Sequence, residues 1–260
     1  MSSKPIAVVT GASTGIGYEL ALCCAKDGYD LVVCANELEI DAAAGKLRQH
    51  GAVVEPVQAD LGSKEGVDKL WSAIRGRQVD ALLANAGRGL GGAFLDQDFD
   101  EAKNVVDVNV SGTISLVQKV GRQMRDRNSG RILITGSIAG FIPGTFHAVY
   151  NGTKAFLDSF AEALRNELKD TEVTVTCLMP GLTDTLFFDR AGMQGTAAYD
   201  APKEDPAKVA KVGYEAMQKG DGSVVSGFMN KVQTTFAGII PDSVLAKMHR
   251  RLAEPQDSKA

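Results

Sequence analysis

A doubly wound α/β fold, with about seven parallel strands between two layers of helices, is what the amino-acid sequence predicts. Three observations predict it. Short apolar runs alternate with helix-length segments along the whole chain, as a parallel sheet covered by helices on both faces requires. The first such run feeds a glycine-rich turn that opens a helix. Polar or small residues recur just past the ends of successive runs, on the sheet edge where ligands bind in such folds.

The elements follow in order. Ile6 to Thr10 is a short buried strand, and Tyr18 to Lys26 is a helix closed near Gly28. Leu31 to Ala35, Val53 to Gln58 and Val79 to Ala84 are strands two to four, separated by helices over Glu37 to His50 and Lys64 to Ile74. One long helix is expected within Glu101 to Asn128, then a strand over Arg131 to Thr135. Tyr150 to Leu168 places Phe156, Leu157, Phe160, Ala161, Leu164 and Leu168 at helical intervals with no internal proline. Val173 to Met179 and Ser223 to Ser226 complete the strands.

Composition bounds the function. The 260 residues are 44% hydrophobic and 23% charged, an ordinary globular balance. No linker-like stretch or repeat divides them, so the expectation is one domain over residues 1–253. Within it, residues 183–206 form a lid and residues 227–253 a C-terminal helical extension; residues 254–260 are expected to be a disordered tail. A net charge of −4 argues against nucleic acid. The apolar run Ile6 to Val9 is too short for a signal peptide, and no stretch is long enough for a membrane span, so the expected location is cytoplasmic. Cys23, Cys24, Cys34 and Cys177 lack metal-ligand spacing, and no metal is expected.

The chemistry is carried by Tyr150 and Lys154, thirteen residues beyond Ser137. Residues four apart on a helix share a face, so a phenol and an ammonium can point into one cleft. An ordinary tyrosine has a pKa near ~10, and acid–base work near pH 7 needs roughly 4 kcal/mol of phenolate stabilisation. One cation ~4 Å away supplies ~4 kcal/mol at an effective dielectric of ~20. A second pair, Tyr199 and Lys203, contains Pro202 and falls in a loop, so only the first pair is expected on one helical face.

Glycines 11, 15 and 17 permit a tight turn and close approach of the backbone to a pyrophosphate. This is the Rossmann-like arrangement. A second run, Gly87 to Gly92, also fits a dinucleotide pattern but follows strand four; it reads as a mobile active-site loop or a plain connector. Asp60, Asn85, Ser137 and Pro180-Gly181 each follow a strand on the same edge.

These motifs together resemble the one-domain short-chain dehydrogenases/reductases. The resemblance rests on TGxxxGxG at Thr10 to Gly17, Asp60-Leu61, Asn85-Ala86-Gly87, Asn109-Val110-Ser111-Gly112, Ser137, Tyr150 to Lys154 and Pro180-Gly181. It implies a catalytic set of Asn109, Ser137, Tyr150 and Lys154. Tyr150 would exchange a proton with a carbonyl or alcohol oxygen, Ser137 would hydrogen-bond that oxygen, Lys154 would lower the Tyr150 pKa and hold the nicotinamide ribose, and Asn109 would position a relay water. Cofactor contacts are implied at Gly11, Ser13, Thr14, Gly15, Ile16, Gly17, Asn36, Asp60, Leu61, Asn85, Ala86, Gly87, Pro180, Gly181, Thr183 and Thr185, besides Tyr150 and Lys154.

Where the family's NAD-selecting acid would stand there is Ala35, then Asn36, so NADP(H) is expected over NAD(H). The arginine often found at the Asn36 position is missing, and Glu37 stands next door; Ser13 and Asn36 could donate hydrogen bonds instead. Phe141, His147, Phe187, Phe188 and Met193 are the candidate substrate wall beside Ser137 and Tyr150, suggesting a hydrophobic ketone, aldehyde or secondary alcohol. The resemblance also implies a homodimer or homotetramer. A catalytically silent dinucleotide-binding regulator on the same fold is the competing reading.

Overall fold

The computed structural model describes residues 4–227 and 240–255. Its strands are β1 (Ile6–Thr10), β2 (Asp30–Ala35), β3 (Val54–Gln58), β4 (Ala81–Ala84), β5 (Gly130–Thr135), β6 (Val173–Met179) and β7 (Ser223–Val225). They form one parallel sheet in the order β3-β2-β1-β4-β5-β6-β7. The order reverses between β1 and β4, and a crevice opens there beyond the carboxyl ends of the strands.

One face of the sheet is covered by α1 (Gly15–Lys26), α2 (Glu39–Arg48) and a helix near the C-terminal end of the fold, Pro206–Lys219. Leu20, Ile40, Leu47 and Met217 from these helices close on Val9, Val33 and Leu83. The other face carries α3 (Lys64–Ile74), α5 (Thr113–Asp126) and α6 (Ala148–Glu167), whose Leu70, Leu116, Val120 and Leu157 meet Val8, Leu82 and Ile132. Each such fully buried side chain contributes about 1.5–3 kcal/mol. Together they hold the strand ends in fixed register, which is what the site requires.

Two elements differ from expectation. The long helix is interrupted: α4 (Phe99–Val106) passes through a π-helical turn, Asp107–Gly112, before α5 begins. Close packing accompanies the break, since a Cβ on Gly112 would stand 2.1 Å from the Leu61 carbonyl oxygen. The extra residue of the turn leaves Asn109 buried and facing inward.

The second difference is the helix Pro206–Lys219, which the sequence reading leaves unassigned. Its signals were local. The Asp205 side chain caps it by accepting from the Ala207 N–H at 2.9 Å, Pro206 stands in its first turn, and Gly220 closes it at φ +74°. Within the lid, α7 (Phe187–Arg190) and α8 (Ala197–Asp200) are single turns.

Of the expected C-terminal apolar pattern, Phe228, Val232, Phe236 and Ile239 lie outside the described residues. The described C-terminal helix, Asp242–Ala253, buries Leu245, His249 and Ala253. The expected tail lies outside the described residues from 256 onward.

Candidate active site

The glycine turn sits at the end of β1 and runs directly into α1, which begins at Gly15 rather than Tyr18. Gly11 and Gly15 have φ of +65° and +57°, a region that L side chains rarely adopt. A Cβ on Gly17 would lie 2.1 Å from the Gly11 carbonyl oxygen, so glycine there lets the helix start close against the turn. Thr14 caps α1 without a side-chain hydrogen bond, leaving the first N–H groups of a twelve-residue helix directed at the crevice. Asn85 ties the neighbouring strand ends together: its amide donates to the Thr10 carbonyl at 3.2 Å and accepts from the Thr135 hydroxyl at 3.1 Å.

Helix α6 presents Tyr150 and Lys154. Lys154 is buried, and its ammonium donates to the Thr135 carbonyl at 2.8 Å. The Ser137 hydroxyl donates to the Pro180 carbonyl at 3.3 Å and accepts from the Ala139 N–H at 3.1 Å. Asn109 is committed on three sides: its amide donates to Thr153 at 2.9 Å and to the Arg88 carbonyl at 3.0 Å, and its oxygen accepts the Arg88 N–H at 2.8 Å. It therefore fastens the loop after β4 to the turn of α6 that carries Lys154.

Electrostatics departs from the sequence argument at Tyr150. Burial pushes its phenol well above the ordinary 10.0; the Ser137 hydroxyl works the other way and the Asp158 carboxylate adds to the rise. The Lys154 ammonium, 5.8 Å from the ring centroid, does not offset that desolvation. Burial also pulls Lys154 down to about 8, against an upward pull from Asp158. Burial of both groups thus outweighs the lowering of the tyrosine expected from its lysine.

The Tyr199–Lys203 pair is excluded as expected. Tyr199 belongs to the single turn α8, its hydroxyl donates to Asp189 at 2.8 Å, and Lys203 donates to the Tyr199 carbonyl.

A cavity of about 1000 Å³ joins these groups. Its walls include Gly11, Ser13, Thr14, Ile16, Gly17, Asn36, Asp60, Leu61, Asn85, Ala86 and Gly87 at one end. Ser137, Tyr150, Lys154, Pro180, Gly181, Thr183 and Thr185 follow, and the lid adds Phe187, Phe188 and Met193. Phe187 lies 5.0 Å from the Tyr150 ring, and His147 stacks on Tyr150 at 4.5 Å. His147 is buried, with its Nε2 unpartnered, and burial together with His249 drives it down to about 3, so it is a neutral imidazole.

Two expectations change here, at Phe141 and at the Gly87 to Gly92 segment. Phe141, at the end of a 3₁₀ turn that follows Ser137, is 40% exposed and does not line the cavity; Ile138 and Ile142 of the same segment do. The turn carries its ring outward. Asn109, expected to position a relay water, is buried behind the cavity wall, where its amide donates to Arg88 and Thr153. The Gly87 to Gly92 segment is pinned rather than loose, with the Gly91 N–H on the Ala191 carbonyl at 2.8 Å and the Gly92 N–H on the Phe146 carbonyl at 2.9 Å.

Other contributors escape sequence reasoning. Asp158 accepts the Ser137 N–H at 3.2 Å; it repeats the four-residue spacing from Lys154, a signal that was available. His249, Leu252 and Ala253 reach the cavity from the C-terminal helix, and Arg190 pairs with Glu37 at 2.7 Å. No local pattern announces such long-range contacts.

The profile of the short chain dehydrogenase family matches residues 5–194. The chain belongs to the short-chain dehydrogenase family. An uncharacterized oxidoreductase of Myxococcus xanthus is 30% identical over 251 residues, covering 95% of this chain and 96% of the relative. One from Staphylococcus aureus is 33% identical over 212 residues, 79% of this chain and 87% of that one. L-sorbose reductase from Gluconobacter frateurii, solved with NADPH and L-sorbose, is 28% identical, with a TM-score of 0.76 over 87% of this chain and 97% of that one. This short-chain dehydrogenase is accordingly an oxidoreductase on a Rossmann-like α/β fold. Among its described residues, no helix is long and apolar enough to cross a membrane.

Proposed function

We propose that the protein transfers hydride between a nicotinamide cofactor and a hydrophobic ketone, aldehyde or secondary alcohol, with Tyr150 as general acid/base. The observation that carries this reading is the convergence of Tyr150, Ser137 and Lys154 on one wall of a cavity that continues to the glycine turn.

The residues fit a dinucleotide. The left-handed Gly11 and Gly15, the uncapped start of α1 and the side-chain-free Gly87 make a cradle for a pyrophosphate and a ribose, and a Cβ on Gly87 would already meet Asn109 at 3.3 Å. When bound, the nicotinamide supplies or accepts the hydride. Tyr150 supplies or removes the proton at the substrate oxygen, and Ser137 holds that oxygen. Lys154 would hold the ribose. Phe187, Phe188, Met193 and Ile142 give the substrate end an apolar lining, which supports a hydrophobic substrate.

NADP(H) is the proposed cofactor. Ala35 presents no carboxylate at the end of β2, and the charge of the neighbouring Glu37 is met by Arg190 and by the Ser13 hydroxyl, each at 2.7 Å. The L-sorbose reductase bound to NADPH supports a nicotinamide cofactor on this scaffold.

Titration with NADPH and NADH, followed by nicotinamide fluorescence, tests the cofactor reading without a substrate. Tyr150→Phe tests the chemistry: turnover of a hydrophobic ketone should fall by at least ~10²-fold while NADPH still binds. Turnover near that of the unaltered protein would remove Tyr150 from the mechanism.

A further inference from the structure

The NADP(H) reading leaves a chemical gap, since no arginine stands at the end of β2 to meet a 2′-phosphate. The lid carries one to the same place. Arg190, the last residue of α7, reaches across the cavity mouth and pairs with one oxygen of Glu37 at 2.7 Å. The other oxygen of Glu37 accepts from the Ser13 hydroxyl at 2.7 Å, inside the glycine turn. All three residues line the cavity beside Ala35 and Asn36.

We propose that Arg190 is the residue that recognises the 2′-phosphate of NADP(H), exchanging the Glu37 carboxylate for the phosphate when the cofactor binds. This rests on the reading that the cavity holds a dinucleotide.

Three arguments carry it. Arg190 and Glu37 are 47% and 23% exposed, so their attraction is screened and the pair is easily exchanged. A phosphate monoester offers about two negative charges and three acceptor oxygens, and a guanidinium grips it through two parallel N–H bonds, a better match than the single contact it makes now. The released Glu37 lies just ahead of α2, where the positive end of that helix lowers the cost of leaving its charge unpaired.

The other cations on the cavity wall are spoken for. Arg88 binds Asn104 and Glu101, and Lys154 binds the Thr135 carbonyl. Ser13, whose hydroxyl now donates to Glu37, can turn the same donor to the phosphate. Glu37 thus holds Arg190 in position while the phosphate is absent.

The test is a fluorescence titration of the whole protein, unaltered and as Arg190→Gln, Arg190→Lys and Glu37→Gln, with NADPH and with NADH. Competition by adenosine 2′,5′-bisphosphate against adenosine 5′-monophosphate isolates the phosphate from the nicotinamide. Arg190→Gln should weaken NADPH and the bisphosphate about tenfold and NADH far less, with partial recovery in Arg190→Lys. Glu37→Gln should tighten NADPH, because the competing carboxylate charge is gone. Equal weakening of both cofactors, or full NADPH selectivity in Arg190→Gln, overturns the assignment of Arg190. A preference of the unaltered protein for NADH overturns the NADP(H) reading and this proposal with it.

Discussion

The Asp158 carboxylate accepts the backbone N–H of Ser137 at 3.2 Å, from one helical turn beyond Lys154. The fit is tight: a Cβ on Gly136 would lie 1.8 Å from one Asp158 oxygen, and a Cβ on Gly140 2.2 Å from the other. The Cys177 thiol donates to the same carboxylate at 3.5 Å. Asp158 therefore fixes the turn that presents Ser137, and it is the negative charge nearest in sequence to Lys154 on their shared helix face.

Burial pushes Asp158 up to about 6, with Lys154 and the Ser137 N–H pulling against that rise. Its folded pKa exceeds the unfolded one, so the native state holds an extra proton between about pH 4 and 6. The stability this provides is complete below the unfolded pKa and is lost as pH rises through about 6. Asp158→Asn should remove that slope. Unfolding free energies from urea titrations at pH 4, 5, 6 and 7 should differ between the two proteins by an amount that changes over this window, on the order of 2 kcal/mol. A constant difference would show that Asp158 does not titrate there.

His147 offers a contrasting case. Burial and His249 hold it near 3, below its unfolded value, so it stays neutral in the native state while the unfolded chain gains a proton below about 6.5. Its contribution to stability is present above that pH and fades as pH falls toward 3. His147→Asn should flatten this acid limb of stability. The kcat/KM profile between pH 5 and 8 should keep its shape in the variant; loss of a limb near 6.5 would mean the imidazole titrates in the active site.

Gly89 tests the lid. A Cβ there would stand 2.6 Å from Phe187 Cζ, 3.0 Å from His147 Nε2 and 3.1 Å from Ala191 Cβ, while its own backbone tolerates any residue. Overpacking of this kind costs about 1–3 kcal/mol. In Gly89→Ala the Phe187 ring must shift, so KM for a hydrophobic carbonyl should rise about tenfold with the NADPH Kd unchanged. A parallel loss of cofactor affinity would show that the loop serves the whole cavity rather than its substrate end.

Much of this protein was legible in one dimension. Lys64–Ile74 and Val173–Met179 coincide with their expected bounds because each is an uninterrupted run between clear stop signals. Tyr150 and Lys154 share a helix face because four-residue spacing guarantees it. Gly11, Gly15 and Gly17 announce their turn because only glycine tolerates those dihedrals and contacts.

What the spacing could not reveal depends on packing between distant segments. Phe141 turns outward, Asn109 faces inward through a π-helical turn, and Arg190 meets Glu37 across a separation of more than 150 residues. The same holds for charge: the sequence supplies a lysine beside a tyrosine, but enclosure in the core decides that both pKa values move against ionisation. Sequence alone therefore determined the alternating elements, the glycine turn and the shared helix face of Tyr150 and Lys154, since these follow from local geometry. Tertiary structure decided the walls of the cavity, the partner of each charge and the direction in which burial moves the phenol, because dielectric environment and through-space distance exist only once the chain has closed on itself.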